Sequence, residues 1–158
     1  MKSLVVYSSQ TGNTKKLAQA VYDALEGEKE LFSLEDAPDP NAYDFIAAGF
    51  WLMAGKPDPK SSEYLAQIKD RSLFLFATHG TAKGSDHAEN AMNHAKAIAD
   101  QVKIVGTFSC QGEVNPKILA KVKAKPQPPV WLSDADDAVG HPDDDDIKAL
   151  KNQVIGIK

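Results

Sequence analysis

The chain has 158 residues, 42% of them hydrophobic and 25% charged, with a formal net charge of -4. That length carries one sizeable core and falls short of two ordinary domains, so a single domain over 1–158 is expected. A mildly acidic chain is a poor match for nucleic acid or an anionic membrane surface, and no apolar run approaches the roughly 20 residues that cross a bilayer.

Cys110 is the only cysteine, which excludes an intrachain disulfide. With a Met1-Lys2 opening directly before a strand, it gives the expectation of a cytoplasmic protein. Ser3-Leu4-Val5-Val6-Tyr7 is a β-branched apolar run closed by polar residues, the pattern of a buried strand. After Thr11-Gly12-Asn13-Thr14, the residues Leu17, Ala18, Val21, Tyr22 and Leu25 share one face at helical spacing, and Gly27 is placed to end that helix. A strand over 30–34, a turn-rich stretch over 36–41 and a third strand over 43–50 follow. Gly55 and two prolines then mark a loop, and Tyr64, Leu65 and Ile68 predict a short helix.

Leu73-Phe74-Leu75-Phe76-Ala77 is a continuous apolar run suited to a sheet covered on both faces. A long helix uses Ala88, Ala91, Met92, Ala95, Ile98 and Ala99, residues 103–109 form a fifth strand, and Ile118, Leu119 and Val122 give one or two helical turns. Residues 125–142 are proline-rich and acidic and read as a surface loop. Asp143 to Asp146 place carboxylates at a final helix start, facing the positive end of its dipole. A calcium loop needs converging ligands, and that spacing is missing.

Five strands alternating with helices predict an α/β fold, a doubly wound five-stranded parallel sheet with helices on both faces. Ligands of such sheets bind beyond the carboxyl ends of the strands, where the strand order reverses. The loop Ser9-Gln10-Thr11-Gly12-Asn13-Thr14 lies there, between the first strand and the first helix. A helix N-terminus offers backbone N–H donors and partial positive charge to a phosphate. Gly12 allows close backbone approach, and Ser9, Thr11, Thr14 and Asn13 add side-chain donors. The same residues also suit a simple helix cap. Neither G-x-G-x-x-G nor G-x-x-x-x-G-K-[ST] occurs. Ser8-Ser9 and Gly49-Phe50 stand where a phospho-receiver of similar topology needs acidic residues.

Ser-x-Thr-Gly-Asn-Thr after an N-terminal strand resembles the FMN-phosphate signature of the flavodoxins. Length, strand order and loop positions resemble a short-chain flavodoxin over nearly the whole chain. The resemblance implies strand order 2-1-3-4-5, one non-covalent FMN and electron transfer with redox partner proteins. It assigns Gly49-Phe50-Trp51-Leu52 to a loop whose Trp51 packs on the flavin ring. Gly49 departs from the serine or threonine that many members use on the phosphate. Leu52 departs from the glycine whose peptide flip hydrogen-bonds flavin N5 after one-electron reduction.

Thr78-His79-Gly80 corresponds to the loop at the pyrimidine edge, without the tyrosine that often covers the outer ring face. His79 is placed there either beside the ring or facing solvent. Cys110-Gln111-Gly112 ends the fifth strand on the same edge, with Cys110 either near the ring or a buried inert thiol. Lys56, His79 and Lys83 replace the acidic residues usual around the ring, which predicts a less negative potential for full reduction. Two other functions fit the pattern: an FMN-dependent NAD(P)H reductase acting on a quinone-type acceptor, and a flavin-free interaction module.

Overall fold

The computed structural model describes residues 2–9, 12–53, 56–79, 86–113, 116–127 and 138–157. In chain order these form β1 (Lys2–Tyr7), α1 (Asn13–Ala24), β2 (Glu28–Ser33), β3 (Phe45–Met53), β4 (Lys56–Pro57), α2 (Pro59–Gln67), β5 (Ser72–His79), α3 (Asp86–Ile98), β6 (Lys103–Gln111), α4 (Pro116–Lys123) and α5 (Asp144–Ile155). The sheet runs β2-β1-β3-β5-β6, all parallel, with the two-residue β4 antiparallel to the end of β3. This is the expected 2-1-3-4-5 order with a short hairpin strand added.

Side-chain alternation along the strands divides the core in two. Leu4 and Val6, Ile46, Ala48 and Phe50, and Leu73, Leu75 and Ala77 pack against Tyr64 and Leu65 of α2 and Met92 and Ala95 of α3. The intervening residues Val5, Phe45, Ala47, Phe74 and Phe76, with Phe108 and Cys110, pack against Leu17, Ala18 and Val21 of α1 and Leu150 and Val154 of α5. Both faces are therefore dry, which is why β1 and β5 read as unbroken apolar runs. Among the described residues, no helix is long and apolar enough to cross a membrane.

Several boundaries differ from the sequence expectation. The helix α1 ends at Ala24, and Leu25 is already extended. Gly27, at φ +81, makes the turn into β2 rather than the helix cap. The third strand does not stop at Phe50 but continues through Trp51 to a hairpin in which Leu52 pairs with Pro57 and Met53 with Lys56. Thr78 and His79 belong to β5 rather than to the loop after it. Of the proline-rich stretch, residues 128–137 lie outside the described residues.

The acidic run before α5 does what its charge pattern predicts. Asp143 caps the helix, accepting from the Asp146 N–H at 3.0 Å, while Asp146 accepts from the Asp143 N–H at 3.0 Å. His141 Nδ1 lies 2.6 Å from Asp146 Oδ2. That backbone donation from Asp146, aided by His141, holds the Asp143 carboxyl below the usual carboxylate range. A carboxyl whose pKa is depressed in the folded state stabilises that state above its ordinary value of about 3.9, and the contribution fades as pH falls through the folded value. Asp143→Asn should therefore lower stability near neutral pH, with the loss shrinking as pH falls below the ordinary carboxylate range, as read by urea unfolding across that range.

Candidate functional site

The carboxyl ends of β1 and β3 meet where the sheet reverses direction. Ser8 N–H extends the β1–β3 ladder by donating to the Gly49 carbonyl at 3.0 Å. Beyond it the chain turns into α1 through Gly12, whose φ of +91 lies in the left-handed region and whose N–H donates to Ser9 Oγ at 2.9 Å. A Cβ at Gly12 would meet nothing within 4 Å, so the space above the helix mouth is open and the glycine answers a backbone need.

The first turn of α1 is the electrostatic key. It carries no acidic residue and no side-chain cap. By contrast α2 is capped by Asp58, and α5 by Asp143 with three carboxylates in its first turn. A helix start without a carboxylate keeps its donors and its positive end for an anion. Lys15 and Lys16 follow at once.

The polar side chains around this mouth are tied to distant parts of the chain. Thr14 is buried, and its Oγ1 lies 3.0 Å from Thr78 Oγ1 of β5. Two hydroxyls in one such bond retain one O–H to donate elsewhere. Asn13 Nδ2 donates to the Glu113 carbonyl at 2.9 Å and keeps its second N–H. Gly112 makes this possible: a Cβ there would sit 2.8 Å from Asn13 Nδ2 and 3.1 Å from Thr78 Cβ. Glu113 N–H in turn donates to the His141 carbonyl at 2.9 Å, and Lys16 Nζ donates to the Pro142 carbonyl. The donor set and the missing acid suit a phosphate. Gln10, Thr11 and Gly80, expected at this edge, lie outside the described residues.

Trp51 pairs with Thr78 across β3 and β5 and is half-buried. Together with Tyr7, Ser9, Leu34, Asp58 and Lys60 it lines a cleft of about 500 Å³ at the carboxyl edge. Lys60 and Glu35 form an exposed ion pair at 3.3 Å on the rim. Ser9 and Trp51 therefore face one cavity, within the range of small-molecule sites.

Other expected residues are placed differently. Phe50 is fully buried in the core on the α2–α3 side, and Leu52 packs against the same cluster, so neither side chain is presented at the edge. Cys110 is fully buried on the α1–α5 side beneath the edge. His79 is 6% exposed. Since Thr78 turns toward α1, alternation puts His79 on the opposite face, toward α2 and α3, which corrects the solvent-facing placement. Gln111, opposite His79 in the ladder, remains at the edge with Gly112, whose N–H donates to the His79 carbonyl at 2.9 Å.

A model of the flavodoxin domain matches residues 4–155. The chain is 34% identical over 159 residues to the flavodoxin-like domain-containing protein BilS of Clostridioides difficile strain CD3, covering 93% of this chain and 90% of that one. The chain belongs to the flavodoxin family. The flavodoxin of Streptococcus pneumoniae TIGR4 superposes with a TM-score of 0.65 at 12% identity, over 98% of this chain and 95% of that one. A Lactobacillus acidophilus NCFM flavoprotein solved in complex with FMN gives 0.57 at 21% identity, over 68% and 92%.

In this flavodoxin the departure at Gly49 has a packing cause. A Cβ there would lie 2.1 Å from Cε2 of Phe76, the residue opposite it in β5. The ring fills the volume a serine would need. The residues that sequence reasoning passed over are Ser8, Asp58 and Glu113, together with the His141–Pro142 backbone. Only Asp58 carried a signal, because Asp followed by Pro marks a helix start.

Gly49→Ser should cost about 1–3 kcal/mol through overpacking against Phe76, measured by denaturant unfolding. Gly112→Ala should displace the Asn13 side chain and weaken flavin binding several-fold, with a smaller effect on the melting temperature; titration of FMN into the apoprotein reads it.

Proposed function

We propose that this flavodoxin binds one FMN and passes electrons between partner redox proteins. The reading rests on the acid-free, uncapped mouth of α1 at the switch point, with Trp51 across the same edge. The FMN held by the Lactobacillus acidophilus flavoprotein supports it. Bound FMN supplies one- and two-electron redox chemistry, and the protein supplies binding, orientation and electrostatics.

The phosphate is assigned to the backbone N–H groups of the first turn of α1, with the spare hydroxyl proton of the Thr14–Thr78 pair and the second N–H of Asn13. Ser9 orients the loop through Gly12. Trp51 offers a flat apolar surface to a flat ring, the arrangement aromatic systems favour. Gln111 and the backbone at Gly112 border the same edge. The partners are proteins of unassigned identity, with no role for nucleic acid.

Apoprotein should take up FMN one-to-one and bind riboflavin at least about tenfold more weakly, since the charged phosphate is lost. Gly12→Asp tests the helix mouth directly. Aspartate tolerates a left-handed backbone, and the site has room for it, but its carboxylate repels the phosphate. FMN affinity should fall by at least about tenfold while far-UV circular dichroism is retained, and Gly12→Asn should lose much less. Unchanged affinity in a folded Gly12→Asp protein would exclude this phosphate site. Redox titration of the holoprotein should give a less negative potential for full reduction than a strongly acidic flavodoxin shows. Steady-state oxidation of NADH or NADPH should be absent.

A further inference from the structure

The start of α2 holds a carboxylate with more partners than a helix cap needs. Asp58 is 2% exposed. Its Oδ2 accepts from Ser61 N–H at 3.2 Å, the capping bond proper, and from Ser8 Oγ at 2.9 Å, while its Oδ1 accepts from Ser61 Oγ at 2.8 Å. The Asp58 N–H donates to the Trp51 carbonyl at 3.1 Å. Ser8 is the last residue before Ser9 and the phosphate loop, and its own N–H is fixed on Gly49. One buried residue thus joins the strand end that feeds the phosphate loop to the segment that carries the aromatic ring.

We propose that Asp58 is a positioning residue for the flavin, acting through Ser8 and Trp51. The proposal rests on the FMN reading above. Phosphate and ring of one ligand are gripped by two separate segments, the helix mouth of α1 and the end of β3. Each grip is realised in full only if the distance between them is set before binding. Hydrogen bonds to a buried carboxylate are among the stronger and costlier to break, so this tie is well suited to set that distance.

Asp58→Ala removes the tie and the cap. Ser8→Ala removes the tie and leaves the Ser61 cap intact. Asp58→Asn keeps every bond: its oxygen accepts from Ser8 Oγ and Ser61 N–H, and its amide donates to Ser61 Oγ. The readouts are the FMN dissociation constant, the visible circular dichroism of bound flavin and the melting temperature of the apoprotein. Asp58→Ala and Ser8→Ala should each weaken FMN by about tenfold and alter the dichroic band. Asp58→Asn should restore both readouts to near the unsubstituted values, and the double Asp58→Ala/Ser8→Ala variant should lose no more than the worse single one.

Wild-type affinity and dichroism in Ser8→Ala, additive losses in the double variant, or Asp58→Asn as weak as Asp58→Ala would each overturn the proposal. Should Asp58→Ala not fold, Ser8→Ala and Asp58→Asn decide it. Absence of FMN uptake by the unsubstituted protein overturns the FMN reading and this inference together, whereas normal uptake with indifferent variants overturns this inference alone.

Discussion

A helix that begins without a carboxylate leaves its first backbone donors and its positive end available. Everything at the carboxyl edge is arranged around that opening in α1. The sheet brings β1 and β3 together at the reversal of strand order, Gly12 turns the chain by a left-handed step, and among the described residues no side chain caps the helix start. The contrast lies within one molecule, because α2 and α5 neutralise their own starts with Asp58 and Asp143. Composition near the helix, rather than overall net charge, decides where an anion is welcome.

The packing beneath limits what the edge can display. Strict alternation sends Phe50 and His79 to one side of the sheet and Trp51, Thr78 and Cys110 toward the other. The Phe76 ring occupies the position a side chain at 49 would take. A side chain at position 49 is therefore excluded by its own neighbour in the adjacent strand. A bulky ring in β5 and a bare backbone in β3 are two halves of one solution.

Much of this was legible in the residues. The runs at Leu4–Val6 and Leu73–Ala77 are apolar without alternation because both faces are covered, and the alternation of strands with helices pointed to a parallel sheet. The Ser9–Thr14 pattern located the helix mouth because strand, loop and helix follow each other locally. The antiparallel pairing of Leu52 and Met53 with Pro57 and Lys56 was not legible, because it joins Leu52 to a proline, a residue that usually argues against a strand. The burial of His79 depended on β5 running two residues past its apolar run. The ties of Asp58 to Ser8 and of Asn13 to Glu113 are long-range, and side-chain partners 50 and 100 residues apart leave no periodic trace.

Those last ties have a consequence for how the cofactor is acquired. Asn13 is held by residue 113, and Lys16 by residue 142, across 126 positions of chain. A growing polypeptide that has emerged only through β3 already contains the phosphate loop and Trp51, yet lacks the struts that brace the loop's far side. Asn13 and Lys16 thus gain these partners only once the chain as far as residue 142 has folded back onto α1. Since a ligand confined to the folded state draws the population toward it, FMN supply in the cell would also govern how much of this protein escapes proteolysis.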